Sequence, residues 1–462
     1  SQVEFSDFKI SFLPRVHLTI TGLVLRHRGR TDIPPLFQIQ KLSLYAHPLG
    51  FVRSKPRIEF VELDGLQIHV PPRRNSDQRL IQKAGEDLEK KYPILIEELR
   101  ADDATLFILR SETEKPARVF PIHHLLLRDF SFDRPAKFNA TLTNAIPKGE
   151  IEIAGEFGPW VPGIHRETPA FGHYSFQNAD LGALKGIEGI LSSTGSFTGP
   201  LDQLEVDGVT DVSDFRLRTA DHPIDLRTEF TAIVDGTNGD TYLERVNATF
   251  LHTVLMVRGK IVDESREVKG RTIVLNASSQ DARVEDLIRL ATKGNDSEMK
   301  GYVALKTSIN IPEGDGDLIQ RLKLSGQFRV IDIQFTDSRL QRKVDTLSRT
   351  GQGQPKDMEI NHVSSELRGK FQVNRAVVTF SDLRFHVPGA SIKLNGNYDL
   401  ESEGLNFHGH LLLQAKPSEA TTGVKSLFLK ILNPFFEGQN GGTDLAIRIT
   451  GTKDDPSFGL DD

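Results

Sequence analysis

Residues 389 to 417 read GASIKLNGNYDLESEGLNFHGHLLLQAKP, and twice in this stretch a glycine falls in phase with apolar side chains. Ile392, Leu394, Gly396 and Tyr398 share one parity; so do Leu405, Phe407, Gly409 and Leu411. Alternate residues of a strand face the same side, so each glycine notches an otherwise greasy face. The motif recurs at Leu18, Ile20, Gly22 and Val24, at Ile151, Ile153, Gly155 and Phe157, and at Leu255, Val257 and Gly259. It returns at Leu322, Leu324, Gly326 and Phe328, and closes with Ile447, Ile449 and Gly451. Such alternation predicts a mostly β chain of antiparallel strands with one dry face and one wet one. The glycines keep no fixed interval, which counts against a β-helix or propeller.

Helical periodicity is sparse. Val284, Leu287, Ile288 and Ala291 predict a helix within 281–293, and Val424, Leu427, Phe428 and Ile431 another within 419–436. Residues 77–91 and 336–349 carry weaker helical patterns. No linker divides the chain, so residues 1–462 are expected to form one elongated unit, with 1–75 as a candidate N-terminal sub-part. Seams are expected only in the loops near 71–79, 292–300 and 350–357.

A covering problem then decides the architecture. About 25 strands of ~6 residues present roughly 2,400 Å² of apolar face, while four helices of ~14 residues cover about 840 Å². The remainder must be covered by a second sheet or by curling of the first. A glycine at an inward position removes filler and permits sharp bending. The expected fold is therefore a long antiparallel sheet curled, taco-like, into a hydrophobic groove with a few short helices. Tandem β-sandwiches, with a structural or adhesive role, are the alternative.

Composition narrows the chemistry. The chain has 38% hydrophobic and 26% charged residues, a net charge of −6 and no cysteine. That balance gives no basic footprint for nucleic acid, and cysteine-based zinc sites, disulfides and thiol catalysis are excluded. His123 and His124 are adjacent in a strand pattern and would point to opposite faces, so they do not suit one metal ion. Asp235, Asn238 and Asp240 lack the spacing of a calcium loop, and "GDGD" at 314–317 reads as a turn. "GILSSTGSFTGP" lacks the Lys-Ser/Thr of a phosphate loop, and no G-x-S-x-G elbow or H-E-x-x-H pair is present. No enzyme, metal or cofactor is expected. The opening "SQVEFSDFKISF" already alternates and lacks an initiator methionine, which predicts an upstream segment, signal or anchor.

The chain resembles the AsmA-like family of bacterial envelope proteins. The resemblance runs from "FLPRVHLTITGLVL" through "GPLDQLEVDGVTDVSDFRL", "VDGTNGDTYLERVNATF" and "VEDLIRLA" to "LQRKVDTLSRTGQG", "PGASIKLNGNYDL", "TGVKSLFLKILNPFF" and "GTDLAIRITGTKDDPSFGLD". It implies a repeating β-groove, bridge-like lipid-transfer protein of the periplasm, anchored to the inner membrane by an N-terminal helix not among these residues. Its implied partners are phospholipid, or another acyl lipid, and outer-membrane or other envelope proteins, in support of outer-membrane lipid homeostasis. The groove lining is then expected from the in-phase apolar residues named above other than Ile447 and Ile449, with Gly22, Gly155, Gly259, Gly326, Gly396, Gly409 and Gly451 as bending points. The stripe at 419–436 suits either a groove plug or a helix packed as core.

Overall fold

The computed structural model describes residues 2–461 apart from 13, 27–33, 49–55, 71–93, 110–116, 132, 160, 162–164, 265–269, 294–298, 353–362 and 415–442. Of the described residues 70% lie in strands and 9% in helices, and these strands form one mixed sheet of 25. The sheet opens with β1 (Gln2–Glu4), β2 (Asp7–Ser11), β3 (Val16–Arg26), β4 (Phe37–Ala46), β5 (Arg57–Asp64) and β6 (Gln67–Val70). Next come β7 (Leu95–Ile108), β8 (Arg118–Phe130), β9 (Ala136–Ala145), β10 (Lys148–Phe157), β11 (Pro169–Asp180), β12 (Ile187–Pro200) and β13 (Leu204–Leu217). Then follow β14 (Ile224–Val234), β15 (Thr241–Phe250), β16 (Thr253–Val262), β17 (Thr272–Arg283), β18 (Met299–Ile311) and β19 (Lys323–Phe335). The last are β20 (Glu366–Asn374), β21 (Val377–Val387), β22 (Ala390–Asp399), β23 (Gly404–Leu413), β24 (Thr443–Thr452) and β25 (Pro456–Leu460).

From β7 onward every strand pairs antiparallel with its successor, as alternation with polar turns requires. The N-terminal part is less simple. β1 and β2 share β3, β5 and β6 share β4, and both β5 and β6 meet β7 in parallel. Ile39, Val61, Leu66, Ala101 and Ile122 form one buried cluster. Residues on both sides of the seam expected at 71–79 thus share a core.

The helices sit at strand ends. Helix α1 (Val284–Ala291) packs Val284, Leu287 and Ile288 near Val303, Val330 and Ile333. Its buried Asp286 accepts hydrogen bonds from His252 N–H and Thr253 Oγ1, both at 2.8 Å, which tie the helix to the β15–β16 turn. Helix α2 (Leu318–Arg321) is a single turn, too short for periodicity to announce, and starts where the Asp317 carboxylate accepts from the Ile319 and Gln320 N–H groups. Helix α3 (Ser338–Gly351) covers the weaker pattern at 336–349 and sets Val344 and Leu347 on Val387 and Ala390. The helices expected at 77–91 and 419–436 lie outside the described residues.

Antiparallel alternation gives the sheet two rims of turns, and polar bonds join one rim to the other. The first rim carries the start of β8, the β11–β12 and β13–β14 turns, and α1. The second carries the β14–β15, β18–β19, β22–β23 and β24–β25 turns. Arg118, on the first, donates to Asn238 O (2.8 Å) and Asp263 Oδ2 (3.2 Å) on the second. Leu318 N–H donates to Lys185 O (2.9 Å), and Lys185 Nζ to Asp315 O (3.0 Å). Arg218 reaches both Asp317 and Glu401 at 2.8 Å, and Lys453 Nζ donates to Lys293 O at 2.8 Å.

Each contact joins strands five to nine positions apart in the ladder. Seven strands lie about 34 Å apart on a flat sheet, so these bonds exist only because the sheet is rolled. Treating that offset and a ~40 Å strand as perpendicular edges gives a perimeter of about 52 Å and a width of about 17 Å between backbones. Small barrels with room for one ligand are of this order. The sheet therefore winds as a spiral, with its rims meeting along a polar seam.

The bending is built into the strands. Register shifts at Thr231/Ala232 and Leu243/Val246 lie toward the second rim, and those at Phe176/Ala179, Val212/Phe215 and Lys300/Tyr302 toward the first. Asn178, Asp214 and Asp332 adopt φ of 56°, 53° and 55° at or beside these bulges. Asn and Asp tolerate the left-handed region better than other side chains do.

Candidate functional site

Registers place the in-phase residues in continuous rows across the sheet. One row starts at Phe8, Ile20, Leu42, Leu63, Ala101, Leu125, Ala140 and Ile153. It proceeds through Tyr174, Gly195, Gly208, Phe230, Val246, Val257, Ala277 and Thr307. It finishes with Gly326, Phe371, Phe380, Gly396, Phe407, Ile449 and Phe458. The row crosses every strand but β1 and β6 and contains no charged residue.

A second row runs beside it, from Ile10, Leu18 and Leu44 through Val61, Leu99, Leu127, Phe138, Gly155 and Gly172. It continues along Phe197, Val206, Ala232, Leu243, Gly259, Leu275 and Ile309. Leu324, Val373, Val378, Tyr398, Leu405 and Gly451 end it. Between the two rows, on the opposite face, stand Lys9, Thr19, Ser43, Glu62 and Arg100. Farther along that same polar row come Asp207, Thr231 and Arg245.

The other expected lining residues fall on the same apolar face. Ile151 pairs with Leu142 and Phe176, Phe157 with Ala136 and Ala170, and Leu255 with Ala248. Phe328 stands between Leu305 and Gly369, Ile392 between Phe385 and Leu411, and Leu394 between Leu383 and Gly409.

Two positions depart from expectation. Leu23, not Val24, packs against the N-terminal core, because Gly22 at φ +66° breaks the alternation. Leu322 is no strand residue; it caps α2, its N–H donating to Leu318 O. The rows also recruit Phe138, Phe197, Phe230, Phe371 and Phe380. Their parity is visible in the sequence, but their alignment across strands is not.

The glycines divide into two kinds. Gly22 and Gly451 adopt φ of +66° and +95°, and Gly259 sits beside the register shift at Leu243/Val246. Gly155, Gly326 and Gly409 instead pair in regular ladder, while Gly396, with an ordinary φ, faces Phe380 at the Phe380/Leu383 register shift. At three of these four a ring from the next strand stands directly opposite: Phe138 at Gly155, Phe371 at Gly326, and Phe380 and Phe407 at Gly396. The notches thus receive aromatic rings, a pairing that compensates glycine's poor strand propensity. A Cβ on Gly396 would lie 2.2 Å from Asn406 O and 2.7 Å from Phe407 Cδ1. Gly396→Val should therefore cost about 1–3 kcal/mol through overpacking, read as a lower denaturation midpoint. Asn397→Val, one residue along on the polar face, should leave the midpoint nearly unchanged.

The apolar face is not packed solid. Among the described residues no Phe, Tyr, Trp, Leu or Met falls below 2% exposure; the most enclosed ring is Phe250 at 3%, and the largest fully buried side chain is Ile319. Val257 and Leu255 belong to none of the buried clusters. Room therefore remains between the walls. One stretch of the wall is lined with hydroxyls, where Tyr174 and Thr210 meet the buried Ser193 at 3.0 and 2.9 Å. Burial raises the Tyr174 pKa above the usual phenol value, opposed by its bond to Ser193.

The polar motifs resolve into local structure. His124 bonds Asp102 (2.6 Å) while His123 bonds Thr143 (2.6 Å), so they do not converge. No cluster of three metal-ligating side chains occurs among the described residues. In the Asp235–Asp240 loop, Thr237 N–H and Asp240 N–H donate to Asp235 and Asn238 side chains, and Arg271 bonds both Asp240 Oδ1 and Asn238 O. Arginine thus occupies the face that a cation would need. No family model, curated protein or solved structure matches the chain.

Proposed function

We propose that this is a non-enzymatic lipid carrier in which acyl chains lie along the two apolar rows, inside the rolled sheet, with headgroups toward the polar seam. The observation that carries this reading is the uncharged track that crosses all but two strands while many of its large side chains, Tyr174, Phe230, Phe371 and Phe380 among them, are only partly buried. A wall that protein does not fill calls for an apolar guest. Burying a methylene is worth about 0.8 kcal/mol relative to water. Against a bilayer, equally apolar, that gain vanishes. The track would thus lower the barrier to moving a lipid rather than bind it tightly.

The proposal extends to setting: periplasmic transfer of phospholipid, with inner-membrane attachment, outer-membrane or other envelope partners and a role in outer-membrane lipid homeostasis. The family resemblance supports that part. The track spans about 105 Å if laid flat, and coiling shortens it, which suits a shuttle or a partial bridge completed by a partner. Native mass spectrometry after gentle extraction tests the core of the reading. Copurified phospholipid is expected; a clean apo mass at every collision energy would overturn it.

A further inference from the structure

On the polar face of the C-terminal half, cations gather against the trend of an acidic chain. Arg329, Arg368, Arg384 and Lys393 stand directly opposite one another on β19, β20, β21 and β22. Lys306 and Lys370 flank this row, one on each side of Gln327. Like charges placed directly opposite across strands are destabilising, so four in succession weaken the sheet that carries them. Among the described residues two carboxylates bond these six cations: Glu366 bonds Arg329 at 2.9 Å and Asp382 bonds Arg384 at 2.8 Å. Among the described residues, Lys306, Arg368, Lys370 and Lys393 have no ion-pair partner. The arginine bonds hold both carboxyls below their usual pKa, and Arg368 also acts on Glu366 and Lys393 and Lys370 on Asp382, so two negative charges are shared among six cations.

The surface here forms a shallow, open depression. A basin of about 450 Å³ opens between β18 and β21, with Lys306, Arg329, Arg368, Lys370 and Arg384 around it, Asp382 as the one carboxylate in its lining, and Gln280 and Gln327 among its other polar residues. Guanidinium groups offer paired donors in the geometry that phosphate oxygens accept. We infer that this basin binds a compact polyanion bearing two or more phosphate groups. The short spacing of the cations around so small a depression favours a discrete, densely charged ligand over a planar membrane surface. The ligand is separate from any lipid on the track, because the sheet itself stands between the two faces.

The test is titration of the whole protein with inositol hexakisphosphate by calorimetry at low salt, alongside flotation with phosphatidylglycerol vesicles. Saturable binding of the soluble polyanion is expected, weakening as salt screens it. It should fall at least tenfold in Arg368→Gln/Lys370→Gln and stay unchanged in Arg227→Gln, whose side chain is held by Asp211 elsewhere on the polar face. The double variant should melt no lower than the parent, since it removes opposed like charges. Absence of binding at millimolar ligand, equal binding by the double variant, or binding to vesicles alone would each overturn the assignment. So would a melting temperature that drops in step with the affinity, because the row would then be structural.

Discussion

Val257→Asp should leave a folded protein that carries almost no lipid. Val257 sits mid-track between Val246 and Ala277, only partly enclosed and outside every buried cluster. Water that reaches this partly buried position spares the folded chain the full penalty of a buried charge. A guest acyl chain has no such escape: it must displace that water or avoid the site. An aspartate against hydrocarbon costs about 2.5–3.5 kcal/mol, equivalent to roughly a hundredfold loss of occupancy at that position. The control is one residue away. Met256→Asp lies on the opposite face, where Met256 is 55% exposed, and should load normally. Lipid per protein after purification, with a thermal melt to verify folding, decides the matter. Equal loading of the two folded variants would sink the carrier reading, and unfolding of Val257→Asp alone would mean a solid core instead.

The contrast between those neighbours is legible in the amino-acid order alone. Parity in "LHTVLMVRGKIV" separates Val257 from Met256, whereas strand length is not legible there: most of the observed strands run 10 to 14 residues, longer than the ~6 supposed for the covering argument. Parity also survives transfer from one strand to the next wherever hairpins keep register, which is why the in-phase sets join into rows. It fails where the backbone leaves the extended region. At Gly22 a left-handed residue hands the core position to Leu23, and the bulges at Asn178 and Asp214 shift the register of β11 and β13. The cation row is illegible for a different reason. Arg329, Arg368, Arg384 and Lys393 are separated by up to 64 positions, and only register sets them side by side. Nor does periodicity carry information about a partner seven strands away. The covering problem predicts that the sheet rolls, but not that its rims close on each other.

That closure makes the second large effect measurable. The cysteine-free chain allows an introduced pair to react only with itself, and Lys185 and Leu318 are joined by a backbone hydrogen bond of 2.9 Å. Such a bond sets the Cα atoms within the range a disulfide spans, although the two residues belong to turns seven strands apart. Lys185→Cys/Leu318→Cys should therefore oxidise readily, leaving no free thiol. The cross-link closes a loop of over a hundred residues, for which chain entropy gives about 5 kcal/mol. Loss of Leu318 packing and of the Lys185–Asp315 bond offsets part of this, so a net gain of about 2–4 kcal/mol is expected, abolished by reductant. The surface ion pairs along the seam are individually worth at most ~1 kcal/mol, so the covalent bond would far exceed what it replaces. Two free thiols after exposure to oxidant would mean that the rims do not meet, and the spiral, with the enclosed track that depends on it, would have to be abandoned.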